Sequence, residues 1–151
     1  MLNALAGTIQ VPTLRLNGLT LAPPFLRDDW AEALALLRPD ARAAWQQAGE
    51  NWQASDEERD TTFGEWSLKL IGDMNRVGVP IGAGTDTPIG IAIPGYSLHS
   101  ELEMLVRAGL TPLQAIEAAT VRPAQFFGIE DTMGNIAPGM RADLVLLSAN
   151  P

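Results

Sequence analysis

Val79-Pro80-Ile81-Gly82-Ala83-Gly84-Thr85-Asp86 is short, apolar and glycine-rich, and it ends in a carboxylate. The residues before it carry a long helical pattern that Gly78 closes. A helix that runs straight into a buried strand is the alternation of a parallel sheet. Gly82 and Gly84 lack side chains, so a neighbour or a ligand can come close to this strand. It is not a phosphate loop, because it lacks the Gly-Lys-Ser/Thr ending and a following helix N-terminus.

Upstream, Gly7 to Leu16 reads as a short buried strand, and Pro12 places it at a strand end. Trp30, Leu34 and Leu37 fall on one helix face. Pro39 suits the first turn of a helix from Asp40 to Ala48, which Gly49 closes. Ser55-Asp56-Glu57-Glu58 has the spacing of a capping box. The helix it opens carries Phe63, Trp66, Leu70, Met74 and Val77 on one stripe.

Downstream, Thr87 to Gly95 is a loop containing Ile89, Ile91 and Ile93. Leu98, Leu102 and Leu105 share the face of a helix that Gly109 ends. Thr111-Pro112-Leu113-Gln114 is a second capping box with proline at the first helical position. Leu113, Ile116 and Ala119 form its buried stripe, and a short helix from Pro123 to Phe127 stops at Gly128. Gly134 to Gly139 signals a strand and turn, leading into a strand over Ala142 to Leu147. These last strands read as a separate small β layer.

The 151 residues are 46% hydrophobic and include 4 tryptophans, enough for one packed core. A net charge of −8 argues against nucleic acid as a partner and gives no reason to expect an anionic membrane surface. The absence of cysteine excludes disulfides and thiolate chemistry. No basic segment precedes an apolar stretch at the N-terminus, so the expected location is cytoplasmic. There is 1 histidine. Hydrolytic zinc or iron sites need two or three imidazoles, which His99 alone does not supply.

Asp86 stands where a barrel of strands and helices keeps its chemistry, at the C-terminal end of a strand. A carboxylate there can bind a divalent metal, take a proton from metal-bound water and pass it to a leaving amine. Spacing alone leaves a turn aspartate as the alternative, since Thr85-Asp86-Thr87-Pro88 has turn composition.

Five runs carry a resemblance. They are Gly78 to Thr87, Leu98-His99-Ser100-Glu101-Leu102, Ala108 to Ile116, Ala119-Thr120-Val121-Arg122-Pro123-Ala124, and Gly134 to Val145. In this order and spacing, Val77 to Pro151 resembles the C-terminal end of the amidohydrolase superfamily, in its imidazolonepropionase-like and prolidase-type branches. Residues 1–76 match only loosely.

The resemblance implies an α/β fold, the C-terminal part of a (β/α)8 TIM barrel. The chain would hold its last two βα units, C-terminal helices and a piece of a small β-domain. Residues 1–128 would be the partial barrel, comprising the strand 7 region, a helical excursion, strand 8 and the C-terminal helices. Residues 129–151 would be strands of the small β-domain. A divalent metal, zinc foremost, would be the cofactor, and a small amide-like molecule the substrate. Asp86 falls on the family's last-strand aspartate, which binds metal and shuttles the proton.

The sequence departs from the pattern in lacking the His-x-His pair, the bridging Lys or Glu and the two later histidines. Lys69, the only lysine, lies within a predicted helix. A full barrel takes roughly 250 residues. The expectation is therefore the C-terminal portion of a metal-dependent hydrolase of carbon–nitrogen bonds, inactive as this chain alone. The alternative is a non-catalytic remnant, or a split-barrel subunit that binds a partner chain or self-associates through exposed barrel edges.

Thr87 and His99 are the candidate substrate-facing residues. His99 near a helix start reads first as a local hydrogen-bonding residue, since one imidazole cannot build a metal site. Glu101 and Glu103 read as structural acids suited to the helix dipole, and Asp143 as a residue that ties down a turn.

Overall fold

The computed structural model describes residues 7–149. The outer ends of the two expected domain ranges, residues 1–6 and 150–151, lie outside the described residues. Among those described, the regular elements are helical. They are α1 (Leu14–Asn17), α2 (Ala31–Leu36), α3 (Pro39–Ala54), α4 (Thr62–Arg76), α5 (Tyr96–Arg107), α6 (Pro112–Ala119) and α7 (Val121–Phe127), with 3-10 turns at Pro24–Leu26 and Asp28–Trp30.

The expected parallel pairing is present at a single bridge, Gln10 to Ile81. The Gln10 N–H donates to the Pro80 carbonyl at 2.9 Å, and the Gly82 N–H donates to the Gln10 carbonyl at 2.8 Å. The expected strand from Gly7 to Leu16 does not extend past this point. Pro12 has no N–H to continue a ladder, and Thr13 turns into the left-handed region at φ 50°. The chain then enters α1.

The two glycines of the Val79–Thr85 segment have a packing reason. A Cβ on Gly82 would lie 3.0 Å from Ile9 Cδ1, and one on Gly84 would lie 2.4 Å from Val11 Cγ1. The neighbouring segment therefore needs glycine at Gly84, while at Gly82 the nearest atom is the far end of the flexible Ile9 side chain.

The main core joins Leu14 of α1, Leu68 and Ile71 of α4, Val79 and Ile81, and Met104 and Leu105 of α5. A second cluster gathers Trp30, Ala33, Trp45 and Ile93, with Tyr96 packed against it. The Trp30 ring lies 5.8 Å from Trp45 and 6.0 Å from Tyr96. Ile93 thus fixes the end of the loop after Asp86.

The capping box at Thr111 and Gln114 forms as expected, with Pro112 in the first turn. Gly78, Gly109 and Gly128 stand at positive φ where α4, α5 and α7 end. The other expected box, at Ser55, does not form. Helix α3 continues through Gly49 to Ala54, and Ser55 is its C-terminal cap. The Arg59 guanidinium donates to the Trp52 carbonyl at 2.6 Å and lies over the Trp52 ring. It satisfies the carbonyls at that helix end, so 55–61 stays non-helical and α4 starts at Thr62.

Helix α4 also turns a different face inward. Gly64, Ser67, Leu68 and Ile71 are buried. Phe63 and Trp66 are stacked on each other and are 58% and 56% exposed. Small residues decide this. A Cβ on Gly64 would meet Leu21 at 2.8 Å, and one on Gly72 would meet the Ala108 carbonyl at 2.2 Å. Close approach at two glycines outweighs burial of the aromatic pair. Helix α6 does the same, burying Ala115 and Ala118 and leaving Leu113 exposed.

Among the described residues, 142–147 pair with no strand. An isolated strand has no stability without neighbours on its edge. Leu144, Val145, Leu146 and Leu147 are consequently exposed. Among the described residues, no helix is long and apolar enough to cross a membrane.

Candidate functional site

Asp86 sits where the Val79–Thr85 segment gives way to a loop, and its side chain is solvent-exposed. Its backbone is in the left-handed region, with φ 47°. Aspartate tolerates that conformation better than most residues. The Asp86 carbonyl accepts the Ile89 N–H at 2.7 Å, closing a tight turn. Thr87 is half-buried, and its hydroxyl lies 2.9 Å from that of Thr85.

Arg15 holds this turn in place. Its Nε donates to the Thr85 carbonyl at 2.6 Å, and its Nη2 donates to the Ile89 carbonyl at 2.6 Å. Nη1 reaches the Ile91 carbonyl at 3.4 Å. The planar guanidinium therefore bridges the residues on either side of the Asp86 turn. Arg15 is 5% exposed, although it lies on the four-residue helix α1.

Glu101 lies beneath this arrangement and is fully buried. Its carboxylate accepts the backbone N–H of Arg15 at 2.7 Å and also faces the Leu14 N–H. It thereby caps α1, whose own cap residue Thr13 makes no side-chain bond. The second oxygen, Oε1, has no hydrogen-bond partner among the described residues. Burial pushes the Glu101 carboxyl up to about 7. The Arg15 and Leu14 amides and the Arg15 charge pull it back, while the Asp86 charge adds to the rise. The Arg15 guanidinium is lowered by burial, against the opposing pull of Glu101 and Asp86.

His99 is exposed on α5, edge-to-face with Tyr96 at 6.3 Å. It makes no hydrogen bond to Asp86 or Thr87 among the described residues. Glu103 is exposed and paired with Arg27, which also holds Asp29 at 2.7 Å. Asp143 pairs with Arg141 at 3.2 Å on the surface. Lys69 is paired with Asp73 within α4. Among the described residues, no three His, Asp or Glu side chains come together in a way that would hold a metal ion.

Asp86 is thus gathered with Arg15 and Glu101 rather than with His99. Sequence reasoning missed both partners. Ser97, Glu101 and Met104 fall at i, i+4 and i+7 and are all buried, so that spacing was the available signal for Glu101. The Arg15 signal was masked by reading its segment as a strand.

The family model described as "Amidohydrolase family" matches residues 64–151. Adenine deaminase 3 of Rhizobium meliloti (strain 1021) is 38% identical over 63 residues, 42% of this chain and 11% of that protein. Ochratoxinase of Aspergillus niger is 38% identical over 86 residues, 56% of this chain and 17% of that protein. A crystal structure of a Xaa-Pro dipeptidase with bound methionine in the active site superposes with a TM-score of 0.60 at 24% identity. That match covers 96% of this chain and 30% of the dipeptidase, so the chain shares the fold of that portion. The chain spans less than a third of the length of each of these proteins.

Proposed function

The chain belongs to the amidohydrolase family, and from that membership we propose that it forms the C-terminal portion of a metal-dependent hydrolase of carbon–nitrogen bonds, with Asp86 as its reacting carboxylate. The observation that carries this reading is the placement of Asp86. It is exposed at the end of a segment that pairs in parallel with Gln10, on a turn fixed by Arg15. In the proposed fold this segment is the last strand of a (β/α)8 barrel, and its end faces the substrate.

Asp86 would accept the proton of the attacking water and return it to the leaving nitrogen. Its exposure lets it reach both. Arg15 would keep the carboxylate on a fixed turn without bonding to it, leaving its oxygens free for the reaction. The donors in this chain do not fit a divalent metal by themselves, since they include 1 histidine and no three-ligand cluster among the described residues. In this reading the metal ligands come from further barrel strands, and the chain alone is inactive. An amide or similar carbon–nitrogen substrate follows from the family name.

Segment replacement tests this. The whole chain, Arg15 included, put in place of the matching portion of an active family member, should support turnover that depends on Asp86.

A second reading has one observation in its favour. Leu144 to Leu147 are exposed, with no strand partner among the described residues. Such a segment can add to the sheet edge of another polypeptide, which suits a partner-binding subunit. Gel filtration separates the readings, since a well-behaved monomer argues against it.

A further inference from the structure

A cavity of about 140 Å³ lies beside the Asp86 loop, and of its lining only Arg15 has a part in the chemistry above. Leu26, Trp30, Ile91 and Met104 make its apolar walls, and Ser100 offers a hydroxyl. Arg15 and Ile91 also line it. The residue that pins the Asp86 turn, and the last residue whose carbonyl it reaches, therefore both border this cavity. The size is close to the ~150 Å³ apolar cavity known to accept benzene.

Two cations border the space, yet neither is free for an anion. Arg27 is held by both Asp29 and Glu103 and lies 5.3 Å from the centroid of the Trp30 ring. Arg15 is spent on the Thr85 and Ile89 carbonyls. A charged ligand would have to displace these bonds, whereas a neutral apolar group need only fill the space.

We propose that this cavity is a binding site for a neutral apolar group of about benzene's size, the ring or branched end of a larger substrate whose polar part extends toward Asp86. The second half of that statement rests on the hydrolase reading above; the binding site itself does not.

The test uses the chain as it is, with benzene as probe and benzoate as the charged control. Amide and methyl NMR shifts are followed in the unmodified chain, in Ser100→Phe and in Asp86→Asn. The expected result is saturable shifts from benzene at Trp30, Ile91 and Met104. They should persist in Asp86→Asn and be lost in Ser100→Phe, where a ring fills the cavity. Should Ser100→Phe fail to fold, Ala22→Phe fills the space from another lining residue. Benzene shifts that are absent, or that survive the filling variants, overturn the site. Benzoate binding more tightly than benzene overturns its neutral character. Because no turnover or metal is measured, failure of the hydrolase reading leaves the binding result intact.

Discussion

The carboxylate of Glu101 accepts the backbone N–H of Arg15 at 2.7 Å, across 86 positions of sequence. This bond ties the start of α1 to the buried face of α5. The same Arg15 then reaches out to the turn that carries Asp86. An exposed candidate catalytic residue is thus held through a carboxylate that is itself fully buried.

Glu101 makes stability depend on pH. Its folded value is pushed up to about 7 from an ordinary 4.5, so between these values the folded state binds more protons than the unfolded one. Stability then falls as pH rises from about 4.5 through about 7, and is flat beyond. The loss is of the order of 3 kcal/mol. Urea unfolding at a series of pH values checks this, and Glu101→Gln should flatten the profile.

Arg15→Met should remove the loop anchor and leave Glu101 without its compensating charge. Breaking such a buried contact costs about 3 kcal/mol or more. Arg15→Lys should not restore it, because an ammonium cannot reproduce the planar fork that spans the Thr85 and Ile89 carbonyls. Urea midpoints at pH 8, with Glu101 charged, give both values. Hydrogen exchange at the Ile89 amide should accelerate in both variants.

The aromatic residues should divide sharply. Trp30→Ala empties the second cluster and should cost about 3 to 5 kcal/mol. Trp66→Ser, at a 56% exposed position, should fall within about 0.5 kcal/mol of the parent. Thermal or urea unfolding of the two variants distinguishes this arrangement from the aromatic stripe that periodicity predicts.

Thr111→Ala removes one half of the capping box that opens α6. The expected cost is about 1 kcal/mol. Ser55→Ala should leave helix formation in α4 untouched, since Ser55 caps no helix start. Helical content and urea midpoints of the two variants give the comparison.

Local signals were the legible part of the fold. Proline at the start of α3, glycine at the end of α4 and the Thr111 box each depend on neighbouring residues alone, and each stands where the sequence places it. The helix faces were less legible. Phe63 and Trp66 look like the buried stripe of α4 until Leu21 and Ala108 are seen closing on Gly64 and Gly72. That closeness depends on segments distant in sequence. The strands failed for a related reason, because a ladder needs a partner on its edge, and residues 142–147 have none among the described residues.

The candidate site was legible in the sequence only as a proposal for Asp86. Asp86 was marked by its place at the end of a glycine-rich segment and by the family's runs around it. Arg15 and Glu101 were hidden by charge. A glutamate near a helix start reads as a dipole partner, and only the buried positions of Ser97 and Met104 on its face argue otherwise.

The most direct measurement is turnover by a family member in which this whole chain, Arg15 included, replaces the matching portion, compared with the same graft carrying Asp86→Asn. A hydrolase reading centred on Asp86 predicts measurable carbon–nitrogen hydrolysis by the first graft and a loss of about 100-fold or more in the second, with both folded. Equal turnover in the two grafts, or hydrolysis by the ungrafted chain, would contradict it.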